Sequence, residues 1–270
     1  MKRKIMLLAA AILVLLSACH KKDDPVTPSN NNNNNNNNGN DSTSDGPGTV
    51  NLSFVNKVGN QQMILGTTAY VNAHGDSFSI NHYKYYISNI KLTTDSGKVF
   101  TEPNSYHLIS EESDSTKSLL IVNVPKGNYT SVSFMIGVDS MANVSGAQSG
   151  YLDPIYGMYW GWSTGYIMAK LEGRSPQSPV ANNVLSFHIA GYKGPNSVQR
   201  TVTLPLSDLA KVTSSKTPVI TLISDAAKWF GPQTIIDFGF SPMVMEEGAA
   251  ASAIADNYAS MFSVQSVHNP

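Results

Sequence analysis

Apolar and polar residues alternate from Thr49 to Asn56, with Val50, Leu52 and Phe54 set against Asn51 and Ser53. A period of two predicts a half-buried β-strand. The longest such run is His82 to Thr94, in which Tyr83, Tyr85, Ile87, Asn89 and Lys91 are expected on one face and Lys84, Tyr86, Ser88, Ile90 and Leu92 on the other. Asp95-Ser96-Gly97 reads as a turn into a return strand at Val99-Phe100. Further strands are predicted at Tyr106–Ile109, Ser118–Val124, Tyr129–Val138, Leu185–Ile189, Val198–Leu204, Val219–Ile223 and Ser263–Val267, with a short one at Ile64-Leu65. Asp225 to Phe230 reads as one helical turn, and Glu246 to Phe262 as an amphipathic helix with Ile254, Tyr258, Met261 and Phe262 on its apolar side. About ten short strands separated by turn signals predict an all-β fold, a two-sheet β-sandwich with Greek-key connections and a short C-terminal helix.

Two stretches depart from this rhythm. Asp139 to Pro154 is a polar loop bearing Gly146 and Gly150, of a length that is usually functional or disordered. It leads into Tyr151–Glu172, which holds Trp160, Trp162, four tyrosines and two methionines in a chain that is only 9% aromatic. Each Trp and Tyr pairs an apolar body with a polar handle, so this stretch is either core strand or site wall. Asp153 and Glu172 flank it and are expected to bond its handles.

The N-terminus has a pattern of its own. Lys2, Arg3 and Lys4 precede an apolar run from Ile5 to Leu16, too short to span a bilayer with ease and of the length of a secretion signal. Leu16-Ser17-Ala18-Cys19 matches a bacterial lipobox, which implies a signal peptide over residues 1–18, cleavage before Cys19, and lipidation of its thiol. Lys21-Lys22-Asp23-Asp24 resembles a surface-export signal of Bacteroidota-type lipoproteins, against the alternative of a solvated charge cluster. Nine asparagines, Asn30 to Asn38, lie in a Pro/Ser/Asp/Gly-rich segment that ends at Gly48. Such a segment has nothing to bury and reads as a disordered tether over residues 19–48. The expected setting is the outer membrane, reached through the lipid, on the cell surface or the periplasmic face. Residues 49–270 then form one domain.

Charge and composition narrow the function classes. The formal net charge is −1 and charged residues make up 14%, with no basic stripe to suggest nucleic acid. Cys19 is the single cysteine, so the domain has no disulfide, zinc-thiolate site or thiol nucleophile. Nucleophile elbow, His-Glu-x-x-His, phosphate loop and dinucleotide fingerprint are all absent, and no enzyme is expected. Glu111-Glu112 and Glu246-Glu247 read as solvated charges, because adjacent residues point apart. Of six histidines, two lie in strand patterns. His82 opens the Tyr-rich strand, and His188 shares a face with Ser186, opposite Phe187 and Ile189. A strand histidine is either a satisfied structural residue or a ligand for copper, zinc or iron.

The segment Gly137–Gly194, with Gly157-Met158-Tyr159-Trp160-x-Trp162-x-x-Gly165-Tyr166 and Phe187-His188-x-x-Gly191 at its heart, resembles the copper-binding MbnP-like domain family. Tyr85–Ile90 and Ala255–Phe262 resemble it too, so the likeness covers nearly all of the domain. The resemblance implies a β-sandwich that binds copper through histidines, in some members assisted by a tryptophan oxidised to kynurenine, and a link to di-haem peroxidases of the MauG-like type. Carried over, it makes His188 the first metal-ligand candidate, His82 the second, and Trp160 and Trp162 an aromatic site wall or a structural core. Tyr192-Lys193-Gly194-Pro195 stands where several relatives carry cysteines.

Met141, Met158 and Met168 bring soft sulfur near the motif, for core filling or for Cu(I). The rival reading is a surface module that binds a glycan or protein partner on exposed Trp and Tyr without metal, and a third is an adhesive protein with no ligand. Asp41-Ser42-Thr43, Asp114-Ser115-Thr116 and Asp139-Ser140-Met141 resemble Bacteroidota O-glycosylation sites.

Overall fold

The computed structural model describes residues 46–270. The expected signal peptide, Cys19 with its expected lipidation, and the asparagine tract lie outside the described residues. The strands are β1 (Gly48–Val58), β2 (Gln61–Gln62), β3 (Tyr70–Val71), β4 (Ser77–Thr94), β5 (Val99–Thr101), β6 (Tyr106–Ser110), β7 (Ser118–Val124) and β8 (Gly127–Ile136). Helix α1 (Ser140–Val144) follows, then β9 (Tyr159–Trp160), β10 (Gly165–Arg174), β11 (Val184–Ala190), β12 (Arg200–Val212), β13 (Val219–Asp225) and β14 (Met243–Val244). Helix α2 (Ala249–Tyr258) and β15 (Phe262–His268) close the chain. Among the described residues no helix is long and apolar enough to cross a membrane.

Two sheets result, as the alternation predicts. The smaller runs β15-β13-β1, with β7 and β2 on the remaining edge of β1, and β1 pairs β13 in parallel. The larger runs β12-β8-β4-β10-β11-β14. β1 buries every second residue along its length, so Val50, Leu52 and Phe54 reach the larger sheet. Phe54 and Phe262 meet Tyr85 and Phe134 there, edge to face, with ring centroids 5.0–6.5 Å apart.

The central strand β4 departs from simple alternation at two places. His82 pairs Glu172 and Ile80 pairs Gly173, which leaves Asn81 as an extra residue. Near the other end Ser88 pairs Met135 and Lys91 pairs Ser133, so Asn89 and Ile90 together oppose Phe134. Asn89 takes φ +55° at this bulge. Each bulge inverts the parity of the strand. Phe78, Ile80, Tyr83, Tyr85, Ile87, Ile90 and Leu92 are therefore all buried, and the predicted assignment of Ile90 and Leu92 to the face opposite Tyr83 is corrected. Exact alternation fails because a bulge adds a residue that the hydrophobic pattern does not mark.

Other boundaries shift for local reasons. Ile64-Leu65 is not a strand; the pairing residues are Gln61-Gln62 and Tyr70-Val71. The polar loop after Val138 contains α1, whose first turn is capped by the Asp139 carboxylate accepting from Ala142 N–H at 3.0 Å. Asp225 caps the 3-10 turn Ala226–Phe230 in the same way. α2 starts at Ala249 and buries Ala251, Ile254, Ala255 and Tyr258, the stripe that packs on Trp229.

Candidate functional site

The aromatic stretch is not one strand. Two 3-10 turns, Gly150–Leu152 and Pro154–Tyr156, precede the short β9, and a turn leads into β10. Tyrosine hydroxyls tie this segment to the sheet: Tyr86 Oη donates to Tyr151 O at 3.0 Å, and Tyr166 Oη to Leu152 O at 2.8 Å. Asn143 of α1 holds the turn from the other side, donating to Thr164 O and accepting from Tyr166 N–H. A Cβ on Gly165, which has φ +88°, would meet Asn143 at 2.8 Å, so only glycine fits there. Trp160 is buried by this arrangement, whereas Trp162 is 78% exposed. Their ring centroids are 5.5 Å apart, and Trp160 lies 5.9 Å from the His188 ring.

The outer face of the larger sheet, opposite Tyr83, Leu171 and Phe187, carries the charged residues. Glu172 of β10 is directly across from His82 of β4, and Lys170 is across from His188 of β11. Both predicted histidines thus flank the strand between them. His188 Nε2 is 2.6 Å from Glu172 Oε1, and His82 Nε2 is 3.9 Å from Glu172 Oε2. Lys170 Nζ approaches Glu172 Oε1 at 3.2 Å. His82 Nδ1 bonds Glu112 Oε1, and Lys84 Nζ sits 2.7 Å from Glu112 Oε2. A surface depression of about 200 Å³ runs beside His82, Glu172 and Ser186.

The electrostatics follow from these contacts. The hydrogen bond from His188, helped by Lys170, holds the Glu172 carboxyl down at about 2 against the opposing effect of burial. Burial raises Glu112, but Lys84 and His82 outweigh it and keep that carboxyl below its usual range. A carboxylate only accepts, so His188 Nε2 carries the hydrogen toward Glu172. His188 Nδ1 is shielded from solvent and has no hydrogen-bond partner among the described residues. In the neutral ring that nitrogen keeps a free lone pair, the donor that a soft or borderline metal takes. The Nε2 atoms of His82 and His188 thus both face Glu172, while the one partnerless imidazole nitrogen, His188 Nδ1, lies on the ring edge turned away from that carboxylate and fits a single histidine ligand.

Several sequence expectations need correction here. Glu172 bonds His188 and Lys170 rather than a Trp or Tyr handle, and Asp153 caps the turn at Ile155 N–H. Glu111 and Glu112 point apart as expected, yet neither is merely solvated. Glu111 accepts from Asn56 and Lys117, and Glu112 pairs with His82 and Lys84. Met158 and Met168 are buried and Met141 is exposed; Met168 Sδ accepts from Val138 N–H at 3.1 Å, a packing role. Pattern reading missed Glu112, Lys84 and Lys170. The alternation of Lys84 on β4 and Lys170 on β10 was the available signal; Glu112 lies in the turn after β6, and strand order alone makes the three neighbours.

Comparison with known proteins agrees with this architecture. Among solved structures the chain is similar to MbnP from Methylosinus trichosporium, at 13% identity and a TM-score of 0.51, over 76% of this chain and 82% of that one. A likeness at that identity carries the fold. No curated protein matches the chain. The MbnP family model matches residues 47–246, nearly the whole of the described domain, and the chain belongs to the MbnP family.

Proposed function

We propose that this protein is a lipid-anchored component of the cell envelope that binds copper through His82 and His188 around Glu172, as a carrier or scavenger rather than an enzyme. The observation that supports the reading is the partnerless Nδ1 of His188, on a ring whose Nε2 is held by Glu172, the carboxylate that also faces His82 across β10. Imidazole suits copper in either common oxidation state, and the buried free nitrogen of His188 adds a donor with no structural task. Glu172 orients His188 and balances the charge of a bound cation, as carboxylates behind metal-bound histidines do. Lys170 and Lys84 hold the carboxylates until the cation replaces them. The lipobox at Leu16–Cys19 supports anchoring in the membrane.

Copper titration of the full chain against a competing chelator tests the site. His188→Ala and His82→Ala are each expected to lose more than the ~10- to 100-fold that a mere outer-sphere partner contributes. Affinity equal to wild type in both variants would sink the reading. Trp160 is the tryptophan this reading assigns to kynurenine formation by a MauG-like di-haem peroxidase, because it is the one against His188. Peptide mass analysis of protein from its native host checks it, and an unaltered Trp160 peptide rejects that assignment.

A second reading rests on Trp162. Its exposed ring packs beside Trp160, which lines a depression of about 260 Å³, and suits stacking of a sugar face. Glycan-array binding that disappears in Trp162→Ala while copper affinity is absent would favour it.

A further inference from the structure

A second set of metal-ligating side chains converges at the turn that leads into β4. Asn72 closes this turn: its side-chain oxygen accepts from the N–H groups of His74 and Asp76, and its own N–H donates to Asp76 O at 3.0 Å. Asp76 is buried, with Oδ2 accepting from Phe238 N–H at 2.9 Å and from Asn72 Nδ2 at 3.2 Å. Asn72 Nδ2 also donates to Ile236 O, so residues 72–76 and 236–238 form one hydrogen-bonded unit.

His74 is mounted on that unit. Its Nδ1 lies 3.1 Å from Asp76 Oδ1. A carboxylate cannot donate, so Nδ1 carries the hydrogen and the neutral ring turns the lone pair of Nε2 outward. Nε2 faces Asp237 Oδ2 across 3.9 Å, beyond hydrogen-bond reach. Asp237 Oδ1 is held by Gly239 N–H at 2.7 Å, which fixes the carboxylate and leaves Oδ2 free to bind. Among the described residues, His74, Asp76 and Asp237 are the group whose ligand atoms all lie within 4.8 Å of one another.

We propose that His74 Nε2 and Asp237 Oδ2 bind a divalent first-row transition ion, with Asp76 as the positioning carboxylate behind the imidazole. The order carboxylate, histidine, metal is the usual way a ligating imidazole is held in tautomer and direction. Ligand bonds of about 2.0–2.2 Å put two donors of a tetrahedral ion ~3.4 Å apart, so the pair closes by roughly half an ångström on binding. A mixed imidazole and carboxylate set selects such ions over calcium and magnesium, which take mainly oxygen. Both side chains are about half exposed, at 45% and 46%, and water completes the coordination. The bound ion ties the β3–β4 turn to the segment that precedes β14. The cluster shares no residue with His82, Glu172 and His188, and it stands independently of the copper reading.

Calorimetric titration of the full chain with Zn²⁺ alone tests this. Wild type is expected to take up one more equivalent than His74→Ala or Asp237→Asn, and to gain a Tm increase with Zn²⁺ that those variants lack. Asp237→Asn keeps the oxygen that accepts from Gly239 and so keeps the loop. Asp76→Asn retains the stoichiometry but binds about 10- to 100-fold more weakly. In a His188→Ala background the equivalent that depends on His74 and Asp237 is retained. The proposal is overturned if His74→Ala and Asp237→Asn match wild type in uptake and affinity, or if adding His74→Ala to His188→Ala removes no further equivalent.

Discussion

His188 Nε2 lies 2.6 Å from Glu172 Oε1 along the diagonal between neighbouring strands, while Glu172 sits directly across from His82 on the other side. One carboxylate is thereby shared by two imidazoles that are more than a hundred residues apart in sequence, His82 and His188.

This contact has a pH signature. Glu172 titrates at about 2 in the folded chain, against an ordinary 4.5. A depressed carboxyl stabilises the fold fully above its unfolded value, and that contribution drains away as pH falls from about 4.5 through 2. The acid limb of a Tm-against-pH curve is therefore expected to be steeper in wild type than in Glu172→Gln across that window. Parallel limbs would show that the contact contributes nothing to stability.

The two tryptophans of the motif are expected to separate cleanly. Trp160 is buried between the sheet and Trp162, so Trp160→Ala should cost about 3 kcal/mol or more. Trp162 is 78% exposed, and Trp162→Ala should stay within ~0.5 kcal/mol. Urea denaturation decides; equal losses would contradict the burial seen here.

The bulge on β4 can be tested through its backbone. Asn89 at φ +55° adopts a conformation that a branched side chain resists, so Asn89→Val is expected to lose about 1–2 kcal/mol and Asn89→Gly to be tolerated. The readout is the urea midpoint at constant m-value. A Val variant as stable as wild type would mean that the strand runs through without the bulge.

Where the sequence pattern was regular, it was legible. β1 buries alternate residues as Val50, Leu52 and Phe54 foretell, and β11 sets His188 and Ser186 against Phe187 and Ile189. The stripe through Ile254 and Tyr258 marks α2, and Asp225 marks the start of the separate 3-10 turn Ala226–Phe230. Where a residue is added or a side chain caps a turn, the pattern misleads. Asn81 and Asn89 invert the faces of β4, and α1 hides in a polar loop because its capping by Asp139 outweighs its composition.

Sequence by itself determined the fold class and the family motif around Trp160 and Phe187-His188, because alternation and residue chemistry are local properties, and through the family resemblance it offered His188 and His82 as candidates. Tertiary structure alone decided that these histidines meet at Glu172, that Glu112, Lys84 and Lys170 complete the charge network, and that His74 faces Asp237. Such contacts depend on strand order and register between segments far apart in the chain, and no local periodicity encodes which strand will lie beside which.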